Sequence, residues 1–160
     1  MKTVMKHILS VCILMMLGQF CLAGPIADLA GRARPGFRPK LSGVPLMEVV
    51  VISDCTNENV ALNPNLNFRE VDMAMTRKTV YVQEPDGSRG MRLIFDSKSY
   101  NDLQMYDVIV LDVNGGRLRV NDRTGSVTVA GLTPLAVVSR RSGSEQDAPV
   151  KERLISELTD

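Results

Sequence analysis

Apolar and polar residues alternate along TVYVQEPDGSRGMRLIFD, Thr79 to Asp96, on either side of a break at Pro85-Asp86-Gly87 and Gly90. A period of two on both sides of a turn cluster predicts a β-hairpin with one buried face. Val80, Val82, Met91, Leu93 and Phe95 then turn toward a core, and Tyr81, Gln83, Arg92 and Ile94 point away from it.

The same signal recurs on both sides of this hairpin. Leu46 to Asp54 (LMEVVVISD) is rich in β-branched residues and reads as the first strand. Asp107 to Val120 (DVIVLDVNGGRLRV) reads as a second hairpin, because Asn114-Gly115 suits a turn whose two central residues need positive φ. Its alternation sends Val108, Val110, Leu118 and Val120 inward and Asp107, Asp112, Arg117 and Arg119 outward. The turn NDRTG leads to Ser126–Leu132 and then to Pro134–Ser139. Short Val-rich strands joined by tight turns predict an all-β domain over residues 44–139, a small barrel of five to six strands. Barrel closure, full or partial, hides the sheet edges.

The segments between read differently. Residues 24–43 are rich in Gly, Pro and Arg without periodicity, which predicts a flexible linker. Its Arg32, Arg34, Arg38 and Lys40 form a basic cluster read as a solvated tether, with acidic surface polymers or headgroups as the alternative contact. The polar run 55–78 contains Asn63-Pro64-Asn65, which excludes a regular element there. Its length points to a functional role or to minor structure. Ser97–Gln104, with Tyr100 and Leu103 three apart, suits a short helical turn or a loop. Residues 140–149 are polar, and Val150, Leu154 and Leu158 give the end of the chain a helical stripe.

The N-terminus carries a different pattern. Lys2 and Lys6 precede an apolar run from Ile8 to Leu17 and small residues near Ala23. This is the pattern of a secretory signal peptide, residues 1–23, with cleavage after Ala23 and export to the periplasm or the extracellular space. The alternative makes Cys21 a lipid-anchored first residue, against which Gln19 and Phe20 argue. Removing 1–23 takes Lys2, Lys6 and no acid, so 19 basic and 18 acidic residues become 17 and 18, a net charge of −1. It also removes His7, the only histidine, and two of the three cysteines, leaving Cys55. Without histidine, Ser-His-Asp and Cys-His catalysis and most zinc sites are excluded. A lone Cys55 makes no intramolecular disulfide.

VVVISD, the 79–96 hairpin, LQMYDVIVLDVNGGRLRV and SVTVAGL together resemble the OB-like domain of unknown function found near the N-termini of exported Bacteroidetes proteins. In that family a V-x-SD strand leads to a YVQ-D-x-x-G-G-I hairpin and then to a G-D-x-V-x-V strand. The similarity covers residues 44–139. Tyr106-Asp107 stands where the family has Gly-Asp. The resemblance implies an OB-like barrel acting as a non-catalytic accessory module of larger cell-envelope proteins, with no cofactor. It brings no catalytic residues.

OB barrels often bind oligosaccharides or single strands of nucleic acid on the face of strands two and three. Here Tyr81 and Arg92 are the outward candidates from the first hairpin, and Arg117 and Arg119 from the second. Against a phosphate-driven site, residues 44–139 hold nine basic and twelve acidic residues, so nucleic acid is not the expected partner. The expected role is structural or protein-interacting at the envelope, with a ligand-binding module for oligosaccharide or single-stranded nucleic acid as the alternative. The oxygen-rich run Asp54, Thr56, Asn57, Glu58 and Asn59 lacks the glycine that a tight calcium loop favours, and reads as turn chemistry. No acidic pair stands out by spacing for glycoside hydrolysis, and the chain has no tryptophan to stack on a sugar.

Overall fold

A computed structural model describes residues 24–34, 36–53, 73–96 and 102–149. The expected leader, Cys55, the Asp54–Asn59 run, Asn63-Pro64-Asn65 and the C-terminal helical stripe lie outside these residues, as does most of the Ser97–Gln104 turn.

Seven strands form one sheet: β1 (Met47–Val51), β2 (Thr79–Gln83), β3 (Gly90–Phe95), β4 (Val108–Leu111), β5 (Arg117–Val120), β6 (Val127–Leu132) and β7 (Val137–Arg141). Their order is β5-β6-β3-β2-β1-β4-β7. Only β3 and β6 run parallel; every other pair is antiparallel. The expected all-β class holds. The sheet is not a closed barrel, however, and it has seven strands rather than five or six. β4, β1, β2 and β3 lie side by side in the arrangement of a Greek key.

The expected second hairpin does not form. β4 pairs with β1 and β7, while β5 pairs with β6. The turn itself exists, since Gly116 N donates to Val113 O at 3.1 Å. Gly115 takes a φ of 87°, but Asn114 does not share the positive φ that the tight hairpin turn requires. The two strands therefore diverge. Five sheet steps at about 4.8 Å would separate β5 from β4 by roughly 24 Å if the sheet were flat. The six residue steps from Leu111 to Arg117 reach only about 20 Å fully extended, and the turn shortens them. The sheet must curl around its core.

The first hairpin is as expected. Val80, Val82, Met91, Leu93 and Phe95 are buried, and Tyr81, Gln83, Arg92 and Ile94 are half-buried on the other face. In β4 the expectation is reversed. Ile109 and Leu111 face the core, paired with Val49 and Met47, while Val110 is half-exposed opposite Glu48. Val108 is buried on the outer side with Val50 and Ala148, under the chain that follows β7. A strand apolar on both faces gives alternation nothing to read.

The segment 24–43 is not a free linker. Pro25 presets the first turn of α1 (Pro25–Gly31), and Ile26 and Leu29, three apart, are fully buried in the main core. Downstream, Pro39–Leu41 runs along the open edge of β5: Leu118 N donates to Pro39 O (2.9 Å) and Leu41 N to Gly116 O (2.8 Å). Covering that edge removes a row of unpaired backbone groups. The polar run before β2 supplies a short helix, α2 (Met73–Lys78). No helix among the described residues is long and apolar enough to cross a membrane.

Asp107, 3% exposed, opens β4. Its carboxylate accepts from Gln104 N at 2.7 Å and pairs with Arg140 of β7 at 2.8 Å. Just before it, Tyr106 is the only described non-glycine residue at positive φ, 72°. That is the position at which the resembled family carries glycine.

Candidate functional site

The outward residues of four strands fall into one row. Tyr81 on β2 is the register partner of Arg92 on β3, Arg92 of Thr128 on β6, and Thr128 of Arg119 on β5. Paired residues share a face, so Tyr81, Arg92 and Arg119 lie together as the alternation predicts. Arg117 stands one row along, opposite Ala130, beside the backbone bridge to Lys40. Tyr81, Arg92 and Thr128 line a groove of about 230 Å³ together with Ile52 and Ser126. Within it the Nε of Arg92 is buried without a hydrogen-bond partner.

Past Arg119 the row opens into a second, larger cleft of about 370 Å³. One wall is the segment before β1. Phe37 N donates to Arg34 O (3.0 Å) in a turn with Gly36 at φ 72°, and the bonds of Pro39 and Leu41 to β5 fix that turn beside Arg119. The other wall is the β5–β6 connection. The Asn121 side chain accepts from Arg123 N (3.0 Å) and Thr124 N (3.1 Å), an Asx turn that sets the direction of Arg123. Arg34, Arg38, Arg119 and Arg123 thus line one cleft, with Asp122 the one acid among the described residues there. Phe37 stands in it 61% exposed.

Among the described residues, the ion pairs join Arg140 to Asp102 and Asp107, and Arg141 to Asp147. None takes up the four cleft arginines. Four guanidinium groups against one carboxylate make the cleft locally cationic although residues 44–139 are net acidic, because Arg34 and Arg38 come from outside that range. Planar guanidinium forks suit carboxylate, sulfate and phosphate oxygens, and an exposed ring offers a stacking surface.

The sequence identified Arg119, Arg92, Tyr81 and Arg117 as candidates. It missed that Arg34 and Arg38, read as a tether, are brought against Arg119, and it gave Phe37 no role. The available signal was the apolar pair Ile26 and Leu29, which anchors that segment to the core.

Away from the cleft, Asp147 has its carboxyl held below the ordinary carboxylate range by the backbone N–H of Ser144 and by Arg141. This contact closes the 3₁₀ turn Glu145–Asp147 with a capping box. It serves the chain's course after β7.

Compared with protein-family models, with curated proteins and with solved structures, the chain shows no match in any of the three.

Proposed function

We infer that this chain is an exported, non-catalytic OB-like accessory module of the cell envelope, and that it works by binding an acidic oligosaccharide. The observation that carries the binding reading is the convergence of Arg34, Arg38, Arg119 and Arg123 with exposed Phe37 in one cleft, with no ion pair among the described residues to occupy them. The β4-β1-β2-β3 Greek-key order and the placement of Tyr81 and Arg92 on β2 and β3 support the OB-like reading, since OB domains are partly open Greek-key barrels that bind on that face. Export follows from the leader pattern of residues 1–23, with a Cys21-lipidated form as the variant that would tether the domain to a membrane.

Between a purely structural module and a ligand-binding one, the cleft favours the second. Scattered exposed arginines would be ordinary for a spacer, whereas here four of them converge on one cleft and the ion pairs among the described residues leave them out. Arg119 of the cleft is the register partner of Thr128 in the groove of Arg92, so a linear ligand that followed the row would meet both.

An array of acidic and neutral glycans, read beside a shift assay with single-stranded DNA, tests this. Retention of carboxylated or sulfated chains over neutral ones is expected. Preference for DNA would move the reading to nucleic acid, and no binding in either assay would return it to a structural role.

A further inference from the structure

Glu84 follows β2 and is 3% exposed, yet no ion pair among the described residues involves it. Its Oε1 accepts from the backbone N–H of Ile26 at 2.8 Å, and its other oxygen accepts from the hydroxyl of Ser88. Both donors are neutral. A carboxylate taken out of water is costly unless a cation accompanies it.

The carboxylate lies directly against Gly24. A Cβ built on that residue would overlap all three atoms of the carboxylate group. A side chain at this position would have to displace the Glu84 carboxylate. Because the amide nitrogen is bonded to the same Cα, covalent geometry puts it within about 5 Å of a carboxylate oxygen.

We propose that Glu84 is the internal receptor for the α-ammonium group of Gly24, created when the chain is cleaved after Ala23, so that processing supplies the missing counter-cation and locks α1 onto the sheet. This rests on the export reading above. Two independent lines meet at one residue. The leader pattern ends at Ala23, and the fold seats the next residue against an unpaired buried acid. The cleavage is hydrolysis of the Ala23–Gly24 peptide bond by a leader peptidase. Water supplies the hydroxyl to the Ala23 carboxyl and a proton to the Gly24 nitrogen, which takes a second proton from solvent at neutral pH. An amide, which carries no charge, becomes an ammonium. Ile26 and Leu29, fully buried just downstream, transmit the anchoring to the core.

The test uses the processed chain prepared with Gly24 as its first residue, and the same chain starting one residue earlier at Ala23. Each is made with Glu84 and with Glu84→Gln, and thermal midpoints are measured at neutral pH. The Ala23 start should melt several degrees lower, because it moves the ammonium away from the carboxylate. Glu84→Gln should lower the midpoint of the Gly24 form, and leave unchanged or raise that of the Ala23 form, where it removes an unpaired buried charge. Equal effects of Glu84→Gln in both forms, or equal midpoints for the two starts, would overturn the proposal. Should Glu84→Gln fail to fold, selective acetylation of the Gly24 amine supplies the second measurement, with the same loss expected as for the Ala23 start. Intact mass of the exported protein tests the export reading separately. A start other than Gly24 overturns that reading and the role of processing, while the midpoints alone decide whether the two groups pair.

Discussion

Arg92 on β3 lies opposite Tyr81 on β2, with its Nε buried and unpartnered beside the phenol's strand. That relationship is the inner end of a row that runs through Thr128 to Arg119 and on into the basic cleft. If the row guides a ligand, its two ends should contribute unequally. Arg119→Ala, at the junction, should weaken binding of an acidic oligosaccharide about tenfold or more, and Tyr81→Ala several-fold, with both variants keeping the wild-type circular dichroism spectrum. A Tyr81→Ala variant that binds normally would confine the site to the cleft.

The core makes a sharper contrast within one strand. Phe95 is fully buried, whereas its neighbour Ile94 is half-buried on the outer face. Phe95→Ala should cost about 3–5 kcal/mol in denaturant unfolding, the range for emptying a buried aromatic site. Ile94→Ala should cost well under half as much.

α1 gives a test of the segment that composition reads as a linker. Leu29 is 1% exposed in the main core. Leu29→Ala should destabilise by about 2–5 kcal/mol. A free tether would lose nothing, so urea unfolding of this one variant separates the two descriptions.

Alternation was a good guide where a strand has one dry face. It placed Val80 to Gln83 and Met91 to Phe95 of the first hairpin, although it assigned no face to Thr79 and Glu84, which are also buried, and it brought Tyr81, Arg92, Arg117 and Arg119 to one side. It failed at β4 because Val108 and Ile109 are both buried, on opposite faces. Asn114-Gly115 was a true turn but not a hairpin, since only Gly115 takes positive φ and β5 finds its partner in β6. The cleft was the least readable feature. Arg34 and Arg119 are far apart in sequence, and what joins them is backbone pairing of Pro39–Leu41 with Gly115, Gly116 and Leu118, a contact with no local signature.

Tyr106, at φ 72°, pays for its conformation. Removing the ring and then varying only backbone freedom isolates that cost. Tyr106→Gly should be more stable than Tyr106→Ala by about 1 kcal/mol, because glycine reaches positive φ without a Cβ penalty. The reverse order in chemical denaturation would contradict the strained turn.

Asp147 supplies a pH test. Its folded pKa lies below the ordinary value of 3.8, mainly through the Ser144 N–H and then Arg141. A lowered folded pKa means that the contact contributes stability above about pH 4, and that this is lost as pH falls through the folded value. Thermal midpoints of wild type and Asp147→Asn should differ at pH 6 and converge toward pH 2. A constant offset across that range would show that the carboxylate charge is not involved.

The most direct measurement is a calorimetric titration of the processed protein with an acidic oligosaccharide and with its neutral counterpart, at two salt concentrations, beside the double variant Arg34→Ala/Arg119→Ala. Tighter binding of the acidic chain is expected, weakening as salt rises and falling at least tenfold in the double variant. Equal affinity for the two chains, or a double variant that binds as wild type does, would contradict a basic cleft built for an acidic ligand.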